Sequence, residues 1–372
     1  MANAKVVEID RAKKAREVVE RGARARWWRR RGSKGRGFWY EDPAGKRITD
    51  EAHLERIRSL AIPPAWTHVR ISPSPRSSLQ AVGVDSSGRI QYKYHSQFIA
   101  RRQQNKFSRI ERFGAELPAL RRRTNEDIEL EGFPRNRVLA IVIRLINELY
   151  FRVGSEKSVR RYRTYGVTTL RNRHLDIERG GRLIFKFIGK HRIRHRRVIV
   201  DEELATVMRD LKRLGGPKLF EYVGEDGRIH PITPRDVNEY IKAATEQDFS
   251  AKDFRTWGGT LMAAVRLAEI GKAEDERQAR RNIVRAVKRV AERLGNTPTV
   301  CRNCYIHPKV LELYLEGVTL EEFRPKRERR IRRLQPEYEP EELALLKLLR
   351  VARIGAAANA SAASNGSRRR AA

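Results

Sequence analysis

The chain is poor in cysteine, poor in acid relative to base, and has no apolar run long enough to span a bilayer. Only Cys301 and Cys304 occur in 372 residues, so no disulfide framework is available. Their C-x-x-C spacing invites zinc, but a closed structural site takes four ligands and no second pair supplies them. The N-terminal stretch MANAKVVEIDRAKKAREVVERG lacks the apolar centre and cleavage site of a secretory signal, which predicts a cytoplasmic protein. The longest apolar run, VLAIVIRLINELYF at 138–151, is interrupted by Arg144, Asn147 and Glu148 and reads as a core helix. No G-x-x-x-x-G-K-[ST] occurs, so a nucleotide-driven motor is not expected. No compact acidic cluster offers to hold two magnesium ions. Neither a cofactor nor a metal is expected.

What the chain has in excess is positive charge. Lys and Arg number 80 against 46 Asp and Glu, a formal charge of +34, and such a field draws polyanions over a long range. Nucleic acid is the first partner to consider and an anionic membrane surface the second. With 40% hydrophobic residues the chain can also bury a sizeable core.

The texture changes along the chain. Residues 1–36, ending in RARWWRRRGSKGRG, read as a basic arm, solvated or adding a phosphate contact. From 37 to 106, short β-type runs are separated by D-P-A-G and D-S-S-G, the pattern of a small β-rich domain. Beyond 107 the apolar spacing turns helical, with one interruption at 173–200, where RHLDIE, RLIFKFIGK and IRHRRVIV read as a three-stranded antiparallel meander. Helices resume through TPRDVNEYIKAAT, with Thr233 as N-cap and Pro234 at the first helical position, then GTLMAAVRLAEI and the basic stretch ending at Gly295. The expected fold class is therefore α+β: a β-rich N-terminal domain, a mainly α-helical domain over 107–335, a helix over 336–354, and a low-complexity tail over 355–372.

Phosphodiester cleavage without metal needs a nucleophile, donors for the developing negative charge, and an acid for the leaving oxygen. Tyr305, in GNTPTVCRNCYIHP, can be the nucleophile. Arg152 in YFRVGSE, Lys190 in FIGKHR and Arg255 in KDFRTWGGT each place a cation at the end of a structured element beside a glycine, where backbone can approach a phosphate. Taken singly, each is the ordinary surface charge of a basic chain. In the β-rich domain, GRIQYKYH alternates Arg89, Gln91 and Lys93 with Ile90, Tyr92 and Tyr94. Tyr92 and Tyr94 share a face, either in the core or against DNA.

The blocks RVGSEKSVRRYRTYGVTTLRNRH (152–174), FKFIGK (185–190), KDFRTWGGT (252–260) and GNTPTVCRNCYIHP (295–308) resemble the successive signatures of type IB DNA topoisomerases of the compact poxvirus and bacterial kind. GFWYEDPAGKRITDEAHLERIRSLAIPPAW and LQAVGVDSSGRIQYKYH resemble that family's β-rich domain. The resemblance runs in order over about 36–325 and implies the catalytic fold shared with tyrosine recombinases, closing as a clamp on duplex DNA. It implies a catalytic set of Arg152, Lys190, Arg255, Asn296 and Tyr305, with a 3′-phosphotyrosyl intermediate and no ATP. Viral members carry histidine where Asn296 stands, so Asn296 is expected to act only as a hydrogen-bond donor in the transition state. Lys190 would protonate the leaving 5′-oxygen, with neighbouring cations favouring release of its proton.

Further DNA contacts are expected at Arg89, Gln91, Tyr92, Tyr94 and Lys252, from a monomer that needs neither membrane nor nucleotide. Ser158 departs from the family pattern, which often has an aromatic residue there. Cys301 and Cys304 are expected to be small packing residues, the sharper reading being that their oxidation disturbs Tyr305. Two alternatives stay open. One is a tyrosine recombinase or integrase, which more often has H-x-x-R where Lys252 precedes Arg255 and a helical N-terminal domain. The other is a non-catalytic DNA-packaging protein.

Overall fold

Trp28 stands in a run of arginines, yet its side chain is only 8% exposed. Burying so large an apolar surface contributes about 3 kcal/mol and decides the local structure. The computed structural model describes residues 15–324 and 339–350, and the chain divides into units 1–106 and 107–372. In the first unit, β1 (Trp28–Ser33), β2 (Gly37–Glu41), β3 (Thr67–Ile71), β4 (Leu79–Val84) and β5 (Ile90–Tyr94) form one antiparallel sheet in the order β2-β1-β3-β4-β5. Between β2 and β3 lies α1 (Glu51–Ser59), capped by the Asp50 carboxylate, which accepts from the His53 amide. Trp28, Ile57, Val69, Ile71 and Ala81 pack together as the unit's core.

The reading of 1–36 as an arm is corrected for its second half. β1 is paired on both sides, with Trp28 opposite Ile71 and Arg30 opposite Tyr40. Arg30 donates to the carbonyl oxygens of Pro63 at 3.1 Å and Trp66 at 2.5 Å and lies 4.2 Å from the Phe38 ring centre. Its charge thus serves the fold, adding a donor to the Pro63 carbonyl, which also accepts from the Trp66 amide, and satisfying that of Trp66. Residues 15–20 are helical, with Ala15 and Val19 buried against Val82 and Val84. Residues 1–14 and the tail read at 355–372 lie outside the described residues.

The second unit is built on α2 (Ser96–Ile128), buried on one face from Phe107 onward, and α3 (Arg135–Leu149). The apolar run at 138–151 is indeed a core helix: Val138 to Ile143 are all buried. After the short α4 (Glu156–Tyr162) comes a sheet ordered β6 (Leu175–Ile177), β7 (Arg182–Ile188), β8 (Arg194–Val200), the meander expected from the alternation. α5 (Glu202–Arg213) is followed by a hairpin absent from the sequence reading, β9 (Glu221–Val223) with β10 (Ile229–Pro231). Then follow α6 (Pro234–Thr245), α7 (Ala251–Ile270), α8 (Glu276–Leu294), α9 (Pro298–Cys304) and α10 (Pro308–Leu315), and residues 340–350 are helical. Thr233 caps α6 in a reciprocal box with Asp236, with Pro234 at its first position.

One boundary matters for function. The sequence reading starts a helix at Gly259, but α7 begins at Ala251, so Arg255 lies inside a 20-residue helix and not at its end. Two glycines in a helix interior cost about 1 kcal/mol each against alanine, a cost that packing at the site offsets. Among the described residues no helix is long and apolar enough to cross a membrane.

Candidate active site

Arg152 is fixed by the residue before it and by its own backbone. Phe151 is buried edge-on between Phe185 and Phe187 of β7, at 5.3 Å from each ring centre. The Arg152 carbonyl accepts from the Val167 amide at 2.8 Å and that of Val153 from Thr168 at 2.9 Å. The side chain is thereby aimed at the end of α8, where Nη2 donates to the Gly295 carbonyl at 3.0 Å and to Asn296 Oδ1 at 2.7 Å.

Arg255 reaches the same place from α7. It is 4% exposed and donates from Nη1 to the Tyr150 carbonyl at 2.5 Å, and from Nη2 to Leu294 O and Asn296 Oδ1, each at 2.7 Å. One amide oxygen thus bridges two guanidiniums. The sequence reading gave Asn296 a donor's role alone; its oxygen has this second task. Arg255 also lies 5.1 Å from the Tyr305 ring centre, a distance at which a cation is held by the ring face.

The glycines that follow Arg255 serve protein packing. A Cβ at Gly258 would fall 2.0 Å from the Tyr150 ring, and one at Gly259 would fall 2.5 Å from the Tyr305 carbonyl oxygen. Thr260 completes the attachment: its hydroxyl donates to the Thr256 carbonyl at 2.7 Å within α7, lies 3.4 Å from the Tyr305 carbonyl oxygen, and accepts from the His307 amide at 3.1 Å. Tyr305 closes α9 as its C-cap, so its position is set by α7 and α9 together. Cys301 is buried in α9 with its thiol pushed up to about 11 by burial, whereas Cys304 is exposed. The packing role expected of both therefore applies to Cys301 alone.

Burial and mutual repulsion act on the arginines. Burial first, then Arg255, pushes Arg152 down to about 10, and burial lowers Arg255 as well. Both remain cationic at neutral pH. Both donate to backbone carbonyls and to the Asn296 amide oxygen, and among the described residues neither is ion-paired with a carboxylate. The Nε of Arg255 is buried with no hydrogen-bond partner.

A cleft beside this pair is lined by Arg152, Tyr165, Lys190, His195, Arg197 and Arg255. Lys190 is exposed at the β7–β8 turn. His195 and Arg197 were not singled out from the sequence, although the period-2 alternation of IRHRRVIV puts both on one face of β8. Arg197 donates to the Arg293 carbonyl and is lowered to about 10 by burial and its neighbours Arg293 and Arg255. Ser158 bonds Ser155 Oγ at 2.9 Å in the cap of α4.

The first unit carries its own expected DNA contacts. Tyr92 is exposed and Tyr94 half-buried; their rings stack at 6.0 Å, and Tyr94 stacks on Phe98 at 5.4 Å. Neither belongs to a core cluster. Arg89 and Gln91 donate to Asp85 Oδ2 at 3.0 and 2.8 Å and so hold the preceding turn. Lys252 is exposed at the start of α7.

Comparison with known proteins gives two family matches in succession. Residues 37–85 match the bacterial DNA topoisomerase IB N-terminal domain, and residues 95–330 match the eukaryotic DNA topoisomerase I catalytic core. The DNA topoisomerase 1B of Acanthamoeba polyphaga mimivirus is 34% identical over 70% of this chain and 80% of its own. The DNA topoisomerase I of monkeypox virus and the DNA topoisomerase 1B of vaccinia virus (strain Copenhagen) are each 24% identical over 75% of this chain and 90% of theirs. With the catalytic-core match alone spanning more than half of its length, the chain belongs to the type IB DNA topoisomerase family.

Proposed function

We propose that the chain relaxes supercoiled duplex DNA by transient cleavage of one strand, with Tyr305 as nucleophile. Tyr305 Oη attacks a backbone phosphorus and expels the 5′-oxygen, leaving a 3′-phosphotyrosyl link and a free 5′-hydroxyl strand that rotates before it attacks back. One phosphoester replaces another, so no ATP is required. Arg152, Arg255 and the amide of Asn296 stabilise the charge on the non-bridging oxygens in the transition state, and Lys190 protonates the leaving oxygen.

The observation that carries this reading is the pair of guanidiniums joined through Asn296 Oδ1 and partnered by neutral oxygens, with Arg255 set against the Tyr305 ring. Such a pair is an anion site in waiting. On the β-rich unit, Tyr92 and Tyr94 are proposed to contact DNA, with Arg89 and Gln91 holding their turn; Lys252 is a proposed phosphate contact. Since the proposed set comes from one chain, the protein is proposed to act as a monomer, on nucleoid DNA.

The test is relaxation of positively and negatively supercoiled plasmid in EDTA without ATP. Wild type should relax both signs, and Tyr305→Phe should bind plasmid but leave its linking number unchanged. Binding without relaxation by the wild type would overturn the reading in favour of packaging, and exchange of strands between two duplexes would favour a recombinase.

A further inference from the structure

His195 lies on β8 opposite Phe187 of β7, and its ring stacks on that phenyl with centroids 5.0 Å apart and planes at 28°. The same ring touches main chain on two other segments. A Cβ on Gly189 would fall 2.5 Å from its Cδ2 and Nε2, and one on Gly295 would fall 2.6 Å from its Cε1. Only glycine leaves room at both places. Gly189 immediately precedes Lys190, and Gly295, the C-cap of α8, immediately precedes Asn296. One ring therefore abuts the backbone beside two proposed catalytic residues carried by different elements.

We propose that His195 is a positioning residue whose ring braces the Lys190 turn against the Asn296 turn and so sets where the Lys190 ammonium stands relative to the arginine pair. This rests on Lys190 acting as proton donor in the function proposed above. The turn needs a brace. Lys190 is exposed, and the next two residues, His191 and Arg192, hold left-handed backbone at φ 63° and 60°, a conformation unfavourable for a non-glycine residue. The bond that closes the hairpin, from the Gly189 amide to the Ile193 carbonyl at 2.8 Å, ties the loop only to itself. A flat ring that fills the slot fixes the loop to the rest of the site. Imidazole can do so without adding charge: burial, then Arg197, Arg152 and Arg255, push it down to about 4, so it is neutral at working pH and leaves the cationic field to the phosphate.

The experiment is single-turnover cleavage of a duplex carrying a site first mapped on plasmid by denaturant trapping. It is prepared with the natural 5′-oxygen leaving group and, separately, with a bridging 5′-sulfur. A thiolate needs no proton to leave, thiols having pKa values near 8.5. Sulfur therefore restores a defect in proton donation and does not restore a defect in phosphate binding or folding. We expect His195→Ala to slow cleavage roughly 10²-fold on oxygen, the scale of a misplaced catalytic group, and to cleave the sulfur duplex at the wild-type rate. Lys190→Ala should show the same pattern with a larger oxygen defect.

The proposal is overturned if His195→Ala is equally slow on both duplexes, or unimpaired on oxygen, while Lys190→Ala is restored by sulfur. Failure of sulfur to restore Lys190→Ala identifies a different error, in the role given to Lys190, and removes the proposal with it. Should His195→Ala melt early by circular dichroism, His195→Gln, which keeps a planar neutral group in the slot, carries the same oxygen-to-sulfur comparison.

Discussion

The helical unit contains two kinds of sequestered arginine. Arg121 is gripped by Glu342 through two bonds of 2.7 and 2.9 Å, Arg109 by Asp253 at 3.1 and 2.9 Å, and Arg144 by Asp201 at 2.6 Å. Arg152 and Arg255 are held as firmly, but by carbonyl and amide oxygens. The consequences for charge differ. Burial opposes the charge of Arg121, yet Glu342, with Glu148 and Glu339, more than offsets this and the Arg121 pKa ends above the usual value, whereas Arg152 and Arg255 both end below it. A carboxylate fixes a guanidinium and neutralises it; a carbonyl fixes it and leaves its field intact. The site therefore keeps two oriented cations with no carboxylate partner among the described residues, which is how electrostatic preorganisation is arranged for an incoming anion.

Removing an arginine of each kind gives the widest separation. Arg255→Ala should slow single-turnover cleavage about 10³-fold, the upper range for losing one donor to a transition-state anion. Arg144→Ala should lower the urea midpoint while leaving cleavage within a fewfold of wild type, as expected of an ion pair remote from the chemistry. Equal losses of cleavage rate would show that the distinction between the two kinds has no functional content.

The separation between these arginines was only half legible in the sequence. The blocks around Arg152, Arg255 and Tyr305 pointed to the residues, and the helical and alternating periods located the core helix at 138–151 and the meander at 173–200. Partner identity is a property of three dimensions: Gly295, Leu294 and Tyr150 contribute main-chain oxygens, which carry no side-chain signal. For the same reason the glycines were misread. Gly258 and Gly259 suggested close approach to phosphate, but what approaches is the Tyr150 ring and the Tyr305 backbone. Trp28 misled in another way, since a single buried aromatic outweighs the charge of the arginines around it.

Asn296→Asp tests the comparison from the opposite side by placing a carboxylate between Arg152 and Arg255, the pair proposed to act in catalysis. Both guanidiniums already point at Oδ1 from 2.7 Å, so little rearrangement is needed. The new ion triad should raise stability by about 1 kcal/mol, the scale of a hydrogen bond gaining charge assistance. It should also slow cleavage roughly 10²-fold, because the anion site is occupied from within and loses the Asn296 amide donor. Thermal melting and single-turnover cleavage on the same preparations check both signs. A variant that is stabler and equally active would mean that the charge left uncompensated at Arg152 and Arg255 is not what the reaction uses.

The smallest effect on chemistry is expected at Glu342, although it lies only one side chain away from α7. Its carboxylate accepts from Arg121 and from Trp257 Nε1 at 3.1 Å, and Trp257 stands two residues from Arg255. Glu342→Ala removes the carboxylate to which both Arg121, whose side chain is 21% exposed, and Trp257 donate, and should cost roughly 3 kcal/mol, the low end for breaking a buried pair. Glu342→Gln keeps an acceptor for Trp257 and should cost less. Cleavage should stay within a fewfold of wild type in both, because the Trp257 ring is also seated on Gly114 of α2, where a Cβ would fall 2.3 Å from it. That packing holds the register of α7 without the carboxylate. Guanidinium melts followed by tryptophan fluorescence give the stability loss, and cleavage on the same samples below the transition gives the rate. If the rate falls in proportion to stability, Glu342 reaches the reaction through Trp257 and α7, and the boundary between arginines that hold the fold and arginines that hold the phosphate must be drawn closer to Tyr305.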